Sequence, residues 1–305
     1  MDKHWNNYCT MSIVHFMAFP SVFRGEGPMV ETVSQIAADP FFGAIEIGWI
    51  KDPATRQAVR AAAECAALQI GHAAQSAILI QKLNLNSLDE AARTCAVEQL
   101  YRSIDEAAEM GAKRVAFLSG ADPGDADRPA ALQALAKSIK QAAAYGQTKG
   151  VALTLETFDR SIDKKALIGP SELAAEFAAG IRAEFPDFGL LYDLSHMPLL
   201  YETALPALST LKEYLVHIHV GNCVVDPALT GYGDLHPRFG FPGGVNGVPQ
   251  LTEFIRALFA CGYLADGRAT RPWIGFEVKP QFAGETPELV IANAKRAWQE
   301  AWSRA

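Results

Sequence analysis

Two histidines share one face of a run that otherwise reads as a buried β-strand. In "LVHIHVGNC", residues 215–223, strand alternation sends His217 and His219 to one side and Val216, Ile218 and Val220 to the other. Imidazoles removed from water need hydrogen-bond partners or a metal ion. Three more apolar runs carry a carboxylate at the corresponding end: Glu156 in "LTLETFD", Asp193 in "LLYDLSH" and Glu277 in "WIGFEVKP". Taken singly, each of these residues has an ordinary reading as a hydrogen-bonded core group or a paired acid. Together, three carboxylates converging on one place would repel and take up protons unless a cation held them. Glu156, Asp193, His219 and Glu277 offer three oxygens and one nitrogen, a set suited to a divalent ion such as Mn²⁺ or Mg²⁺.

The elements that must position them repeat along the chain. Eight short apolar runs begin near residues 11, 43, 68, 114, 151, 188, 215 and 273. Amphipathic, alanine-rich segments lie between them. Two of these end at Gly111 and Gly150, the expected helix stop, and "PSELAAEFAAG" runs from Pro170 to a stop at Gly180. Strands alternating with helices predict an α/β fold, a (β/α)₈ barrel over residues 1–305 as one domain. The rival, a doubly wound open sheet, lacks the glycine-rich phosphate loop after its first strand. In a barrel, chemistry sits at the C-terminal ends of the strands, where the four residues fall. His15 and His72, near the ends of the first and third runs, are placed on the same rim as substrate contacts.

Composition narrows the class. The chain has 305 residues, half of them hydrophobic, and a formal net charge of −7 with no basic stripe, which argues against a nucleic-acid partner. Its five cysteines are scattered without a CxxC pair, as expected of reduced thiols in a cytoplasmic protein. The N-terminal "MSIVHFMAF" is too short to span a membrane, and no membrane partner is expected.

The order of Glu156 on strand five, Asp193 with His196 on strand six, His219 on strand seven and Glu277 on strand eight resembles the xylose isomerase-like TIM-barrel superfamily. Within it, the pattern is similar to the branch containing tagatose 3-epimerase and hydroxypyruvate isomerase. The resemblance implies that Glu156, Asp193, His219 and Glu277 ligate one divalent ion, Mn²⁺ first, with Mg²⁺ or Co²⁺ as alternatives. It also implies that His196, in the D-x-x-H segment, contacts a substrate hydroxyl. Arg238 is matched to the substrate-binding arginine after the strand-seven histidine, and His217 to a residue supporting the site by hydrogen bonding. Residues 221–247 form a long glycine- and proline-rich connection, read as a functional loop that brings Asp234, His236, Arg238 and Phe239 to the barrel mouth. Phe19 and Phe23 are expected there as well.

The chemistry implied is proton abstraction beside a carbonyl through a metal-stabilised enediolate, with Glu156 and Glu277 as catalytic acid and base. That is a sugar isomerase or epimerase acting on a small sugar, expected as a homo-oligomer. The alternative is a lyase: from a 3-oxo-glycoside the same enolate can expel the C1 substituent. C-glycoside deglycosidase catalytic subunits of this superfamily do so in hetero-oligomers with a small subunit. In that reading His236 protonates the leaving group.

Overall fold

The computed structural model describes residues 3–305. All eight apolar runs form strands: β1 (Thr10–Ile13), β2 (Ala44–Ile47), β3 (Gln69–Ala73), β4 (Arg114–Leu118), β5 (Ala152–Glu156), β6 (Gly189–Asp193), β7 (Leu215–Val220) and β8 (Trp273–Phe276). Every ladder is parallel, in the order β1-β8-β7-β6-β5-β4-β3-β2. The ring closes between β2 and β1 through a parallel bridge at Val14 and Glu46 and a bond from the Gly43 N–H to the Met11 carbonyl, 2.9 Å. Short apolar strands of this kind satisfy their backbone only by such closure, and helices then cover the outer face.

One-turn helices follow three strands: α1 (His15–Ala18), α4 (Gln75–Ile80) and α8 (His196–Leu199). The outer layer is α2 (Met29–Ala37), α3 (Pro53–Cys65), α5 (Glu90–Met110), α6 (Arg128–Lys149), α7 (Ser171–Arg182), α9 (Ala204–Leu211), α10 (Val248–Ala260) and α11 (Pro287–Arg304). Outward strand residues such as Ile45, Phe117, Leu155, Tyr192, Ile218 and Phe276 are buried against this layer in one continuous core. Helices α5 and α6 stop at Gly111 and Gly150, both left-handed (φ 81° and 68°), as the sequence predicts. Helix α7 does not stop at Gly180. It continues through Ile181, which is buried, and Arg182, whose Nε donates to the Phe188 carbonyl (2.6 Å), so two favourable contacts outweigh one permissive residue.

A second departure from simple alternation lies in β7. Its register against β6 shifts between Leu190 and Leu191, which pair with Leu215 and His217 and leave Val216 extra. Val216 therefore fills the space over Gly189, where a Cβ would lie 2.3 Å from its methyl, instead of facing the helices. His217 and His219 keep their common inward face.

Candidate metal and catalytic centre

Ligand-capable atoms of Glu156, Asp193, His219 and Glu277 all lie within 4.8 Å of one another, and all four residues are buried. Each stands within one residue of a strand end whose outward neighbours are fixed in the core, so the strand pleat aims it inward. His219 Nδ1 lies 2.8 Å from Glu277 Oε2 and 3.6 Å from Glu156 Oε1. Asp193 spends one oxygen on the Ser195 N–H (2.7 Å), and Glu156 spends one on the Nε2–H of Gln75 (2.7 Å). The remaining oxygens, Asp193 Oδ2 and Glu156 Oε1, are buried without a hydrogen-bond partner. Orphaned anionic oxygens facing a common point with an imidazole nitrogen are what a bound divalent ion would satisfy, and the residues present fit one.

Behind His219 stands a residue the sequence reading passed over. Glu46 of β2 reaches across the barrel interior, accepting from Ser12 Oγ (2.7 Å) and lying 3.1 Å from His217 Nε2 and 2.7 Å from His219 Nε2. A glycine makes room for it: a Cβ on Gly275 would lie 2.3 Å from Glu46 Oε1. Burial works against ionising Glu46, but His217 and His219 hold it well below the ordinary carboxylate range. With Nε2–H of His219 donated to Glu46, Nδ1 is the nitrogen left for an ion. The signal was present in "AIEI": a lone acid inside an apolar strand poses the same question as the two histidines.

The loop after β7 supplies the facing wall. Asn222 and Asn246 pin it: Asn246 Nδ2 donates to the Leu194 and Gly221 carbonyls (3.1 and 3.0 Å), and the Asn246 N–H donates to Asn222 Oδ1 (2.7 Å). Asp234 sits between two histidines, 3.0 Å from His236 Nε2 and 3.2 Å from His196 Nε2, with Lys164 Nζ donating at 3.1 Å. His196 Nδ1–H donates to the Thr157 carbonyl (2.7 Å), which turns Nε2 toward the site. His236 occupies the left-handed region (φ 51°), a strained backbone for a non-glycine residue, and lies 3.5 Å from Glu277 Oε1. Burial disfavours charge on both imidazoles, yet Asp234 lifts His196 to about 10 and His236 to about 9. Burial would likewise push Glu277 up, but His236 and His219 bring it down to about 2. For Asp193 burial prevails over His196 and raises it to about 6.

Other expected contacts fall elsewhere. His15 opens α1 instead of ending a strand, and its fully buried ring pairs through Nε2 with Thr32 of α2 (2.8 Å). The chain turns helical one residue after Val14, which carries the ring behind the barrel wall. His72 is on the outward parity of β3, with Nε2 3.4 Å from Glu106 of α5. Arg238 lies beside Glu285 (Nε 3.4 Å from Oε1) and over the Phe241 ring, drawn away from the mouth by that acid. Phe239 is buried, its carbonyl accepting from Asn293, and Phe19 packs on His15. Phe23 does line the mouth cavity of about 170 Å³, as expected, joined by Phe16 and Phe158, while Gln75, Lys164 and Lys279 add polar groups beside the acids and histidines of the site.

Fold and site together define a (β/α)₈ barrel with an acid–histidine cluster at the C-terminal strand ends. The chain belongs to the xylose isomerase-like TIM-barrel family, whose pattern it matches over residues 35–300. No curated protein matches its sequence. Among solved structures it is similar to an L-ribulose 3-epimerase (16% identity, TM-score 0.71, covering 97% of this chain and 96% of that one). It is also similar to the D-psicose 3-epimerase of Clostridium cellulolyticum H10 studied with D-tagatose (18%, TM-score 0.66, 97% and 96%). A third likeness is to a 3-keto-D-glucoside 4-epimerase from E. coli (14%, TM-score 0.66, 95% and 99%).

Proposed function

We propose that this protein is a divalent-metal-dependent sugar isomerase or epimerase, with Glu156, Asp193, His219 and Glu277 as the ligands. The observation that carries the reading is the pair of orphaned buried oxygens, Asp193 Oδ2 and Glu156 Oε1, gathered with His219 Nδ1 and Glu277 at one point of the mouth. Mn²⁺ suits the three-oxygen, one-nitrogen set best. A divalent ion bound there would polarise adjacent sugar oxygens and so acidify the neighbouring C–H.

The chain's own groups do the rest. Glu156 and Glu277 stand on β5 and just beyond β8, so they approach a bound sugar from different sides, one as base and the other as acid. His196, fixed by the Thr157 carbonyl, presents Nε2 to a substrate hydroxyl. Phe16, Phe23 and Phe158 give the cavity an apolar lining that excludes water beside the acids. That the similar solved structures include 3-epimerases and a 4-epimerase supports this substrate class. The test is proton NMR of ketoses incubated with enzyme and Mn²⁺ in D₂O. Exchange of a carbon-bound proton that stops in EDTA is expected, and exchange unaffected by chelation would remove the metal from the mechanism.

A second reading rests on His236. Its ring lies on the strained turn, 3.0 Å from Asp234 and 3.5 Å from Glu277 Oε1, placed to pass a proton to a leaving group. A lyase acting on 3-oxo-glycosides needs such a donor. Offering 3-oxo-glucosides alongside free ketoses separates the two: aglycone release that His236→Ala abolishes, with proton exchange retained, would establish the lyase. Epimer formation without release would retire it.

A further inference from the structure

The opposite end of the barrel carries a cavity of about 660 Å³, nearly four times that of the mouth. It enters the ring because inward positions there are small, notably Gly71, Ala116 and Thr154, and its inner end reaches Glu46 and His217. Leu68, Met110, Val216 and Trp273 give it an apolar wall.

Its rim is cationic. Lys113, Arg114, Arg268 and Arg271 all line it, and none of the four forms an ion pair among the described residues. Arg114 donates to the Asp187 carbonyl (2.9 Å), while Arg268 and Arg271 donate to the carbonyls of Gly262 and Asn6. The acids that line the cavity are already committed, Glu64 to Arg60 and Glu46 to Ser12, His217 and His219. In a chain of net charge −7, unpaired cations concentrated round one opening are not a by-product of a basic protein. Burial, the larger influence on Arg114, lowers its pKa, so a partnering anion would relieve the cost of holding that charge.

We propose that the barrel floor binds a small organic acid, with an apolar ring-sized body against Trp273 and Met110 and an oxyanion held by Arg114, Arg268 and Arg271. The volume lies in the range of small-molecule sites, and guanidinium forks match carboxylate or phosphate oxygens. The site is independent of the reaction proposed at the mouth.

The test titrates the full-length protein with phenylacetate, phenyl phosphate, inorganic phosphate and uncharged 2-phenylethanol, by calorimetry and by Trp273 fluorescence with Trp273→Phe as control. At least one aromatic acid should bind saturably and more tightly than both inorganic phosphate and 2-phenylethanol. The relative affinity of the carboxylate and phosphate probes identifies the head group. The Arg268→Gln/Arg271→Gln variant, altered at exposed positions that leave the core intact, should weaken that binding about tenfold or more. Absence of saturable binding by either aromatic acid overturns the proposal, as does an affinity the double variant leaves unchanged. Inorganic phosphate binding as tightly as phenyl phosphate would overturn the organic-acid assignment.

Discussion

The two ends of the barrel are built from the same strands and are chemically opposite. At the mouth, Glu156, Asp193, Asp234 and Glu277 crowd against His196, His219 and His236, and five of the seven line a cavity of about 170 Å³. At the floor, unpaired arginines ring a larger space walled by apolar side chains. A parallel barrel presents its strand termini to two separate pools of solvent, so inward residues at either end can change without disturbing the outward core. Between the two, Glu46 touches both, reaching His217 above the floor and His219 below the mouth.

Breaking the mouth should cost most. Glu156→Gln and Glu277→Gln are each expected to lower kcat by about 10²-fold or more in the proton-exchange assay, the scale of general acid–base groups. If either variant keeps wild-type exchange with the ion bound, that glutamate is not an acid or base. Cutting the tie between the ends should cost less. Glu46→Gln removes the negative charge and one of the two acceptor oxygens that Ser12, His217 and His219 share, loosening the His219 ring, and Mn²⁺ affinity measured by calorimetry should fall about 10–100-fold. An unchanged affinity would make Glu46 a structural group only.

The effect that is smallest at neutral pH lies outside both ends. Burial holds His15 down at about 3 against an ordinary 6.5. Between those values the unfolded chain binds the proton that the folded chain refuses, so this residue's contribution favours folding above about pH 6.5 and is lost as pH falls toward 3. His15→Gln should therefore show a shallower decline of unfolding free energy across that window, the two slopes differing by at most about 1.4 kcal/mol per pH unit. Parallel declines in both proteins would mean that His15 accepts its proton while folded.

What the sequence made legible follows from period and parity. The two-residue strand period and the helix stops at Gly111 and Gly150 are local, so the eight strands and the inward aim of Glu156, Asp193, His219 and Glu277 could be read directly. His15 and His72 were misplaced because a strand's true end and the parity of its last residue are decided by neighbours: Val14 hands over to a helix, and His72 pairs outward with α5. Arg238 went wrong for a longer-range reason, since only the folded loop brings Glu285 beside it. Lys164 and Gln75 reach the mouth from segments with no period to betray them.

The seam between β1 and β2 gives Glu46 a second employment. Those strands are joined by little backbone pairing, yet Glu46 is itself one partner of the bridge that closes the ring, and its carboxylate takes the Ser12 hydroxyl of β1 while holding both histidines of β7. The side chain thus works as a cross-brace, tying the place where the cylinder would first spring open to the strand on which the chemistry depends. Loosening that joint would slacken His219, and anything that grips His219 would draw the joint shut.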